Sequence, residues 1–208
     1  MPTKVCKLCF KDIKNTSIIG FLNPNLSLCS QCYHRLMPRF IHFYVLGFEA
    51  MSFYYYDQDI RALLYQFKGC FDYEIAGIFL ERYFRETRLK YLDYIVVPIP
   101  SFEEDNERRG FNHVIEIFKL LKLPIKNVLV KTSHFKQANH NKKERKNINK
   151  HMAINEMQNL TNQKVLIVDD VYTTGSTMKA AIRLIETLHP KDIKVLVMSK
   201  TRNDHHYN

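Results

Sequence analysis

The sequence predicts an α/β domain in which helices flank a mostly parallel sheet, with a small cysteine-rich module in front of it. Short apolar runs such as residues 165–168 alternate with segments of helical periodicity, which is the pattern of a parallel sheet. Two CxxC pairs lie within the first 32 residues. With 208 residues, 46% of them hydrophobic, the chain can bury one full domain core plus an appendage.

Residues 164–179 read KVLIVDDVYTTGSTMK and organise the rest of the prediction. The run 165–168 is rich in β-branched residues and ends at two adjacent acids, Asp169 and Asp170. A segment of small and hydroxylated residues follows: Thr173, Thr174, Gly175, Ser176 and Thr177. Apolar residues then recur at helical spacing, from Met178 to Leu188. The stretch therefore predicts a strand, an acidic pair, a hydroxyl–glycine loop and a helix.

This order of elements is suited to binding a sugar phosphate. A loop that enters a helix offers free backbone N–H groups and the positive end of the helix dipole. Gly175 permits a tight turn and a close approach to an anion. Two carboxylates beside a phosphate can hold neighbouring sugar hydroxyls, directly or through a water bound to a metal. The pattern predicts a ribose 5-phosphate unit as the ligand.

The same stretch resembles the phosphoribosyl-pyrophosphate (PRPP) motif of type I phosphoribosyltransferases. The resemblance implies that fold, with Asp169 and Asp170 on the ribose hydroxyls and residues 173–177 on the 5-phosphate. It also implies Mg²⁺ where PRPP is bound. The alternative is a capped helix that follows a strand carrying acids. A Walker A loop is excluded, because the chain contains no G-x-x-x-x-G-K-[ST].

The two CxxC pairs, Cys6 with Cys9 and Cys29 with Cys32, have the spacing of a four-thiolate zinc site. Residues 1–38 form the predicted module, and bound zinc would supply its folding energy. A closed site of four thiolates is structural and leaves His34 no vacancy. Disulfides are disfavoured because no secretion signal is visible. We expect Cys70 to be a packed small residue.

Residues 39–90 are predicted to form a hood over the core domain of residues 91–208. Aromatic residues are dense in 41–56, where we expect two short strands, as a hairpin covering the main sheet or as a stacking platform for bases. A helix opening at Asp59 buries Ile60, Leu63 and Phe67, and Lys68 with Gly69 ends it. A second helix is expected to bury the apolar residues of 75–83.

Residues 92–100 (LDYIVVPIP) are predicted to be a second buried strand, followed by a loop over 101–112. By the resemblance, Ser101 and Phe102 occupy the place of the pyrophosphate loop. Arg108 and Arg109 either contact phosphate bidentately or pair with the nearby acids. Asn112 is expected to cap the next helix. Strands are also predicted at 127–130 and 194–198.

Residues 132–151 form a polar, basic segment in which few side chains could enter a core. A long loop inside a compact domain is more often functional than accidental. We expect it to close over PRPP or to lie along a nucleic-acid backbone, the alternative being a solvated charge run. The candidate contacts are Lys136, Gln137, Lys142, Lys143 and Arg145.

The formal net charge of +10 favours polyanionic partners: nucleic acid, an acidic membrane surface or phosphorylated ligands. The first ten residues contain no long apolar run, so we expect no signal peptide. No span of about 20 apolar residues occurs either. We expect a cytoplasmic protein that is peripheral to the inner face of the membrane at most.

Taken in order, the features of the chain resemble the ComF (competence protein F) family of phosphoribosyltransferase-like proteins. They are the paired CxxC, Lys68–Gly69, the VPIP strand with RRGFN behind it, Gln137 with Arg145 and Asn147, and DDVYTTGST. The resemblance implies DNA uptake during natural transformation, single-stranded DNA as a ligand and a helicase-type partner. The alternatives are an active Mg²⁺-dependent transferase that releases pyrophosphate, with an unknown acceptor, and a PRPP-gated scaffold without turnover.

Overall fold

The computed structural model of the chain describes residues 4–13, 27–131, 152–155 and 159–202. Five strands form the main sheet, in the spatial order β1-β2-β7-β6-β3. They are β1 (Ile41–Val45), β2 (Phe48–Tyr55), β3 (Tyr94–Pro98), β6 (Lys164–Tyr172) and β7 (Asp192–Lys200). All neighbouring pairs are parallel except β1 with β2. The predicted α/β class and the strands expected at 92–100, 165–168 and 194–198 are confirmed.

The β1–β2 hairpin extends the sheet and does not cover it, so that part of the prediction is wrong. Strand β2 pairs in parallel with β7, with Ala50 opposite Val195. Five consecutive residues of β2, from Ala50 to Tyr54, are buried. A strand buried on both faces belongs inside a sheet, and Phe53 and Tyr54 are the aromatic residues of 41–56 that this burial includes. The division of the chain into residues 1–38, 39–90 and 91–208 stays a prediction.

Helix α2 (Gln58–Gly69) follows the hairpin, and α1 (Ser30–Arg35) precedes it. The N-cap of α2 is Asp57, whose side chain accepts from the Ile60 N–H at 3.0 Å, two residues before the predicted start. Its buried residues include the predicted Ile60, Leu63 and Phe67. The expected second helix is divided into a 3₁₀ helix (Tyr73–Phe79) and α3 (Phe84–Lys90).

The segment predicted as a loop over 101–112 contains a short helix, α4 (Glu103–Arg109). Acids fill its first turn and two arginines its last, which is the arrangement that the helix dipole favours. Gly110 ends it with φ 76°. Helix α5 (His113–Phe118) follows, and the Asn112 side chain accepts from two of its backbone N–H groups at 3.1 Å, as predicted. A 3₁₀ turn (Lys119–Leu121) completes this region.

The strand expected at 127–130 does not join the main sheet. Strand β4 (Leu129–Lys131) pairs antiparallel with β5 (Met152–Ile154) in a separate sheet of two strands. The chain just before it runs beside β3 instead, where Ile125 forms a parallel bridge with Val96.

Two apolar cores cover the two faces of the main sheet. One contains α6 (Ser176–Glu186), which buries Met178, Ala181, Ile182 and Ile185. The other contains α2, α5 and the 3₁₀ helix, and Cys6 and Cys32 belong to it. The cysteine module is therefore continuous with the core that supports α2.

Within the described residues, no helix is both long and apolar enough to cross a bilayer. Cys70, expected to be packed, is an exposed free thiol at the end of α2.

Candidate functional site

The acidic pair lies at the carboxyl end of β6, between the ends of β3 and β7. Asp169 and Asp170 are within the strand itself, three and two residues before its last residue. Because β3 and β6 are parallel, the residues that follow Pro98 emerge at the same edge of the sheet. Ligands of open α/β sheets bind in the crevice outside this edge. The structure thus brings Ser101 to the same edge as the acids.

The loop after β6 leads directly into the 11-residue helix α6. Gly175 is its N-cap residue and adopts φ 75°. The side chains of Thr173, Thr174 and Thr177 are exposed, and the hydroxyls of Thr174 and Ser176 lie 2.9 Å apart. Exposed hydroxyls and free N–H groups at the start of a helix can together bind one phosphate.

Tyr172 forms the floor of this loop. Its ring packs against Phe43 of β1, with the centroids 4.9 Å apart. A Cβ atom built on Gly175 would overlap the hydroxyl end of the Tyr172 ring. Burial raises the pKa of Tyr172. The ring therefore supports the loop from below, and a side chain at position 175 would have to displace it as well as adopt a left-handed backbone.

Asp170 is buried, with 7% of its surface exposed. Two side chains, one ammonium and one imidazole, compensate its negative charge. The Lys68 ammonium from the end of α2 contacts its Oδ2 atom, and His113 Nε2 lies 3.6 Å from the same oxygen. Burial raises the pKa of Asp170, but hydrogen bonding from His113 and the charge of Lys68 outweigh it and hold that pKa well below its usual range. Asp170 is therefore ionised.

Asp169 differs from its neighbour in its electrostatics. Its Oδ1 atom accepts from the Asp170 backbone N–H at 2.9 Å. Burial and the adjacent Asp170 carboxylate raise the pKa of Asp169. The two neighbouring carboxyl groups therefore differ in proton affinity, and Asp170 is the stronger candidate acceptor for a hydroxyl donor.

His113 and Lys68 complete the site and were not assigned to it from the sequence. The Nδ1 atom of His113 lies 3.3 Å from Ser101 Oγ, so its ring bridges Ser101 and Asp170. Burial lowers the pKa of His113, although the Asp170 carboxylate opposes this. The available signal was the position of His113 directly after the Asn112 cap. For Lys68 it was the Lys68–Gly69 pair, which is one of the features shared with the ComF pattern.

The arginines of α4 are bound within their own helix. Arg108 pairs with Asp105 at 3.2 Å, and Arg109 donates to the Asp105 carbonyl at 2.8 Å. Their contact with a ligand phosphate stays a prediction. The Lys131 ammonium lies 4.0 Å from the ring centroid of Phe102, a cation–π contact beside Ser101.

The basic segment of residues 132–151, with Lys136, Gln137, Lys142, Lys143 and Arg145, lies outside the described residues.

The four predicted cysteine ligands come together in one cluster. The sulfur atoms of Cys6, Cys9, Cys29 and Cys32 all lie within 4.8 Å of one another, with 3.6 Å between Cys9 and Cys29. A tetrahedron with metal–sulfur bonds of about 2.3 Å has edges of about 3.8 Å, so the cluster can hold a metal ion. Burial opposes ionisation of Cys6, but backbone N–H groups of Cys29, Cys9 and Leu8 lower its pKa to about 7. Such donors favour a thiolate.

Polar contacts fasten the module to the helices that support the acidic site. Lys7 pairs with Glu74 of the 3₁₀ helix at 2.6 Å, and Arg35 of α1 pairs with Asp59 at the start of α2. Helix α2 ends at the Lys68–Asp170 contact. One helix thus connects the cysteine cluster to the acidic pair, over about 14 Å from Asp59 to Lys68.

The chain is similar to known proteins in sequence and in fold. A phosphoribosyl transferase domain matches residues 107–205. The chain is 28% identical over 139 residues to competence protein ComFC of Bacillus subtilis, covering 66% of this chain and 58% of that protein. It is 26% identical over 149 residues to ComFC of Streptococcus pneumoniae, covering 72% and 67%. A hypoxanthine phosphoribosyltransferase from Staphylococcus aureus is similar in structure, with a TM-score of 0.38 and 12% identity over 84% of this chain and 73% of that one.

The sheet order, the acidic strand end and the matched domain define a type I phosphoribosyltransferase-like protein. Within that class the chain is similar to the two ComFC proteins, and four clustered cysteines precede the matched domain. It matches 58% of the length of the first of these relatives.

We predict that Gly175→Ala destabilises the protein and distorts the loop. The left-handed backbone costs an L residue roughly 1–2 kcal/mol, and the Tyr172 ring must also move. Urea unfolding should show a loss of about 2 kcal/mol or more. The matched control is Gly77→Ala, where the added Cβ meets no atom within 4 Å and the change should be within about 0.5 kcal/mol. Equal losses of stability from Gly175→Ala and Gly77→Ala would contradict the close packing of Tyr172 against Gly175.

Proposed function

We propose that this protein acts in DNA uptake, binding single-stranded DNA and carrying a pocket for PRPP or a nucleotide 5-phosphate. The observation that carries the proposal is the acidic pair followed by a hydroxyl-lined helix start at the carboxyl edge of the sheet. The relatives named competence proteins supply the pathway. The Lys68–Gly69 and RRGFN elements shared with the ComF pattern add the family context.

In this proposal the parts of the ligand lie side by side along the sheet edge. The 5-phosphate binds the loop of residues 173–177, and the ribose hydroxyls donate to Asp169 and Asp170. The pyrophosphate then lies toward Ser101, beside the end of β3. Bound Mg²⁺ would neutralise charge on the pyrophosphate. The contribution of this chain is to orient the sugar between the phosphate loop and the acids.

Asp169→Asn together with Asp170→Asn should abolish PRPP binding. The hydrogen bond to the Asp170 carboxylate contributes about 1.5–3 kcal/mol and the one to Asp169, whose pKa is raised, about 0.5–1.5 kcal/mol, so their loss corresponds to at least about a thirtyfold drop in affinity. Isothermal titration of PRPP with Mg²⁺ into the metal-loaded protein measures this loss. Circular dichroism must show that the variant is folded, because Lys68 loses its partner.

The matched control is Asp93→Asn, a carboxylate with 71% of its side chain exposed just before β3, at the opposite edge of the sheet. It should bind PRPP as the wild type does. Retained affinity in the folded double variant would remove the acidic pair from the site.

The surface for single-stranded DNA is proposed beside the pocket. Arg202 lies 4.7 Å from the ring centroid of Tyr55, and the Lys200 ammonium lies 5.5 Å from that of Phe43. Thr201 joins this surface to the phosphate loop by donating its N–H to the Tyr172 carbonyl at 3.0 Å. Aromatic rings next to cations bind bases by stacking and the backbone by charge. We call these residues (Phe43, Tyr55, Lys200 and Arg202) the cation–aromatic edge.

Binding to oligo-dT should weaken with salt, and Arg202→Ala should reduce the slope of log K against log salt by about 0.7, one phosphate contact. Fluorescence anisotropy over a salt series gives the slope. The control is Lys191→Ala, an exposed cation at the other end of β7, about 30 Å away. An identical slope for wild type and Arg202→Ala would exclude the cation–aromatic edge from the DNA surface.

The metal of the cysteine cluster is inferred to be structural zinc. Four thiolates form a soft, closed tetrahedral donor set, which zinc takes in structural sites. Its role is to hold the module against the core that supports α2.

Replacing Cys29 and Cys32 by Ser should remove zinc and destabilise the protein, because a buried metal link between two chain segments is lost. Elemental analysis should find about one zinc per wild-type chain and close to none in the variant, with a lower melting temperature. The control variant is Cys70→Ser, which changes the exposed thiol outside the cluster, and this variant should retain its zinc. Full zinc content without Cys29 and Cys32 would refute the site.

The same proposal includes a helicase-type partner, which rests on the resemblance. It also includes a cytoplasmic location with attachment at the inner face of the membrane, which rests on the resemblance and on the net charge of +10.

The second candidate function is an active phosphoribosyltransferase, favoured by Ser101 and His113 beside the acids. PRPP binding followed by pyrophosphate release with an acceptor would support it.

A further inference from the structure

His113 lies between two polar residues from other parts of the chain, Ser101 and Asp170. Its Nδ1 atom lies 3.3 Å from Ser101 Oγ, just after β3, and its Nε2 atom lies 3.6 Å from Asp170 Oδ2 on β6. Lys68 from α2 contacts the same carboxylate oxygen. His113 itself is 8% exposed. Both ring nitrogens are therefore committed to groups of the candidate site.

Counting the available hydrogens assigns the donors and acceptors among Ser101, His113 and Asp170 in the free protein. A neutral imidazole carries one N–H, and an ionised carboxylate only accepts. The proton of His113 therefore belongs on Nε2, facing Asp170. Its Nδ1 atom must accept, so the Ser101 hydroxyl donates its only hydrogen to the ring. Ser101 then has no hydrogen left for an anion.

A polyphosphate group beside Ser101 changes that arrangement. The anion needs the hydroxyl hydrogen, and a neutral His113 would be left with an unpaired Nδ1 atom in a buried place, which is costly. A proton from solvent on Nδ1 resolves the conflict, since the imidazolium donates to Ser101 and Asp170 at once. We propose that His113 takes up a proton when a pyrophosphate-bearing ligand binds this site. The inference rests on the proposed PRPP pocket.

The charges that face His113 are consistent with this switch. Among the main influences from the described residues, burial, Lys68 on α2 and Arg109 on α4 favour the neutral ring, and Asp170 on β6 favours the cation. Burial is the largest effect, and the pKa of His113 lies below its ordinary value in the free protein. The negative charge of the ligand shifts this balance toward the cation. As the pH rises from the pKa of His113 in the free protein to its pKa in the complex, the dissociation constant of PRPP should increase about tenfold per pH unit.

The test is the number of protons taken up on PRPP binding. Titration at pH 7.5 with constant Mg²⁺ in two buffers of different ionisation enthalpy gives that number. Wild type should take up a substantial fraction of one proton, and His113→Gln, which keeps a donor toward Asp170, should lose that uptake. The control is His42→Gln, an exposed histidine on β1, which should match wild type. Inorganic pyrophosphate serves as a second probe.

A measurement on the unmodified protein decides the matter if His113→Gln does not fold. Long-range ¹H–¹⁵N spectra report the protonation of each histidine, and that of His113 should titrate at a higher pH once PRPP is added. PRPP binding with no proton uptake, or with the same uptake in His113→Gln, would overturn this inference alone. No PRPP binding by the folded wild-type protein would overturn the proposed pocket as well.

Discussion

The buried carboxylate of Asp170 is the constraint on which the rest of the site depends. Removing a charge from water costs several kcal/mol even in a relaxed protein, and the cost is met only by partners in good geometry. Here those partners are Lys68 and His113, which come from the end of α2 and the start of α5. A shift of either helix along the sheet would remove one of the two partners of Asp170. The acid therefore fixes the positions of two helices as well as preparing a binding site.

Helix α2 extends this constraint to the cysteine cluster. Its first turn contacts Arg35 of the module through Asp59, and its last turn places Lys68 on Asp170. Between them Phe67 is fully buried and stacks on Phe111, with centroids 5.2 Å apart. Because Cys6 and Cys32 belong to the same core, the cysteine cluster and the acidic pair share one packed body. A metal held by the four cysteines would in this way be linked to the geometry of the acidic pair.

Local features of this fold were predictable and long-range placements were not. The strand–loop–helix at 164–186 and the Asn112 cap depend on neighbouring residues, so the sequence pattern suffices. The parallel partner of β2 lies about 145 residues away, as in Ala50 with Val195, and no local pattern identifies it. Helix α4 was missed because its seven residues are all polar or charged and none is buried. His113 was missed because a single histidine on an apolar helix face is indistinguishable from a core residue until Asp170 and Ser101 are seen beside it.

The free site is already internally paired, and this decides which ligands it can distinguish. A ligand that brings only a 5-phosphate and a ribose occupies the loop at Gly175 and the acids, and leaves the contact between Ser101 and His113 intact. A ligand with a pyrophosphate also reaches Ser101, breaks that hydrogen bond and must draw a proton to His113. The two classes therefore differ in proton linkage even where their affinities are equal. If the proposed pocket binds both PRPP and a DNA 5-phosphate, the two ligands would leave His113 in different protonation states.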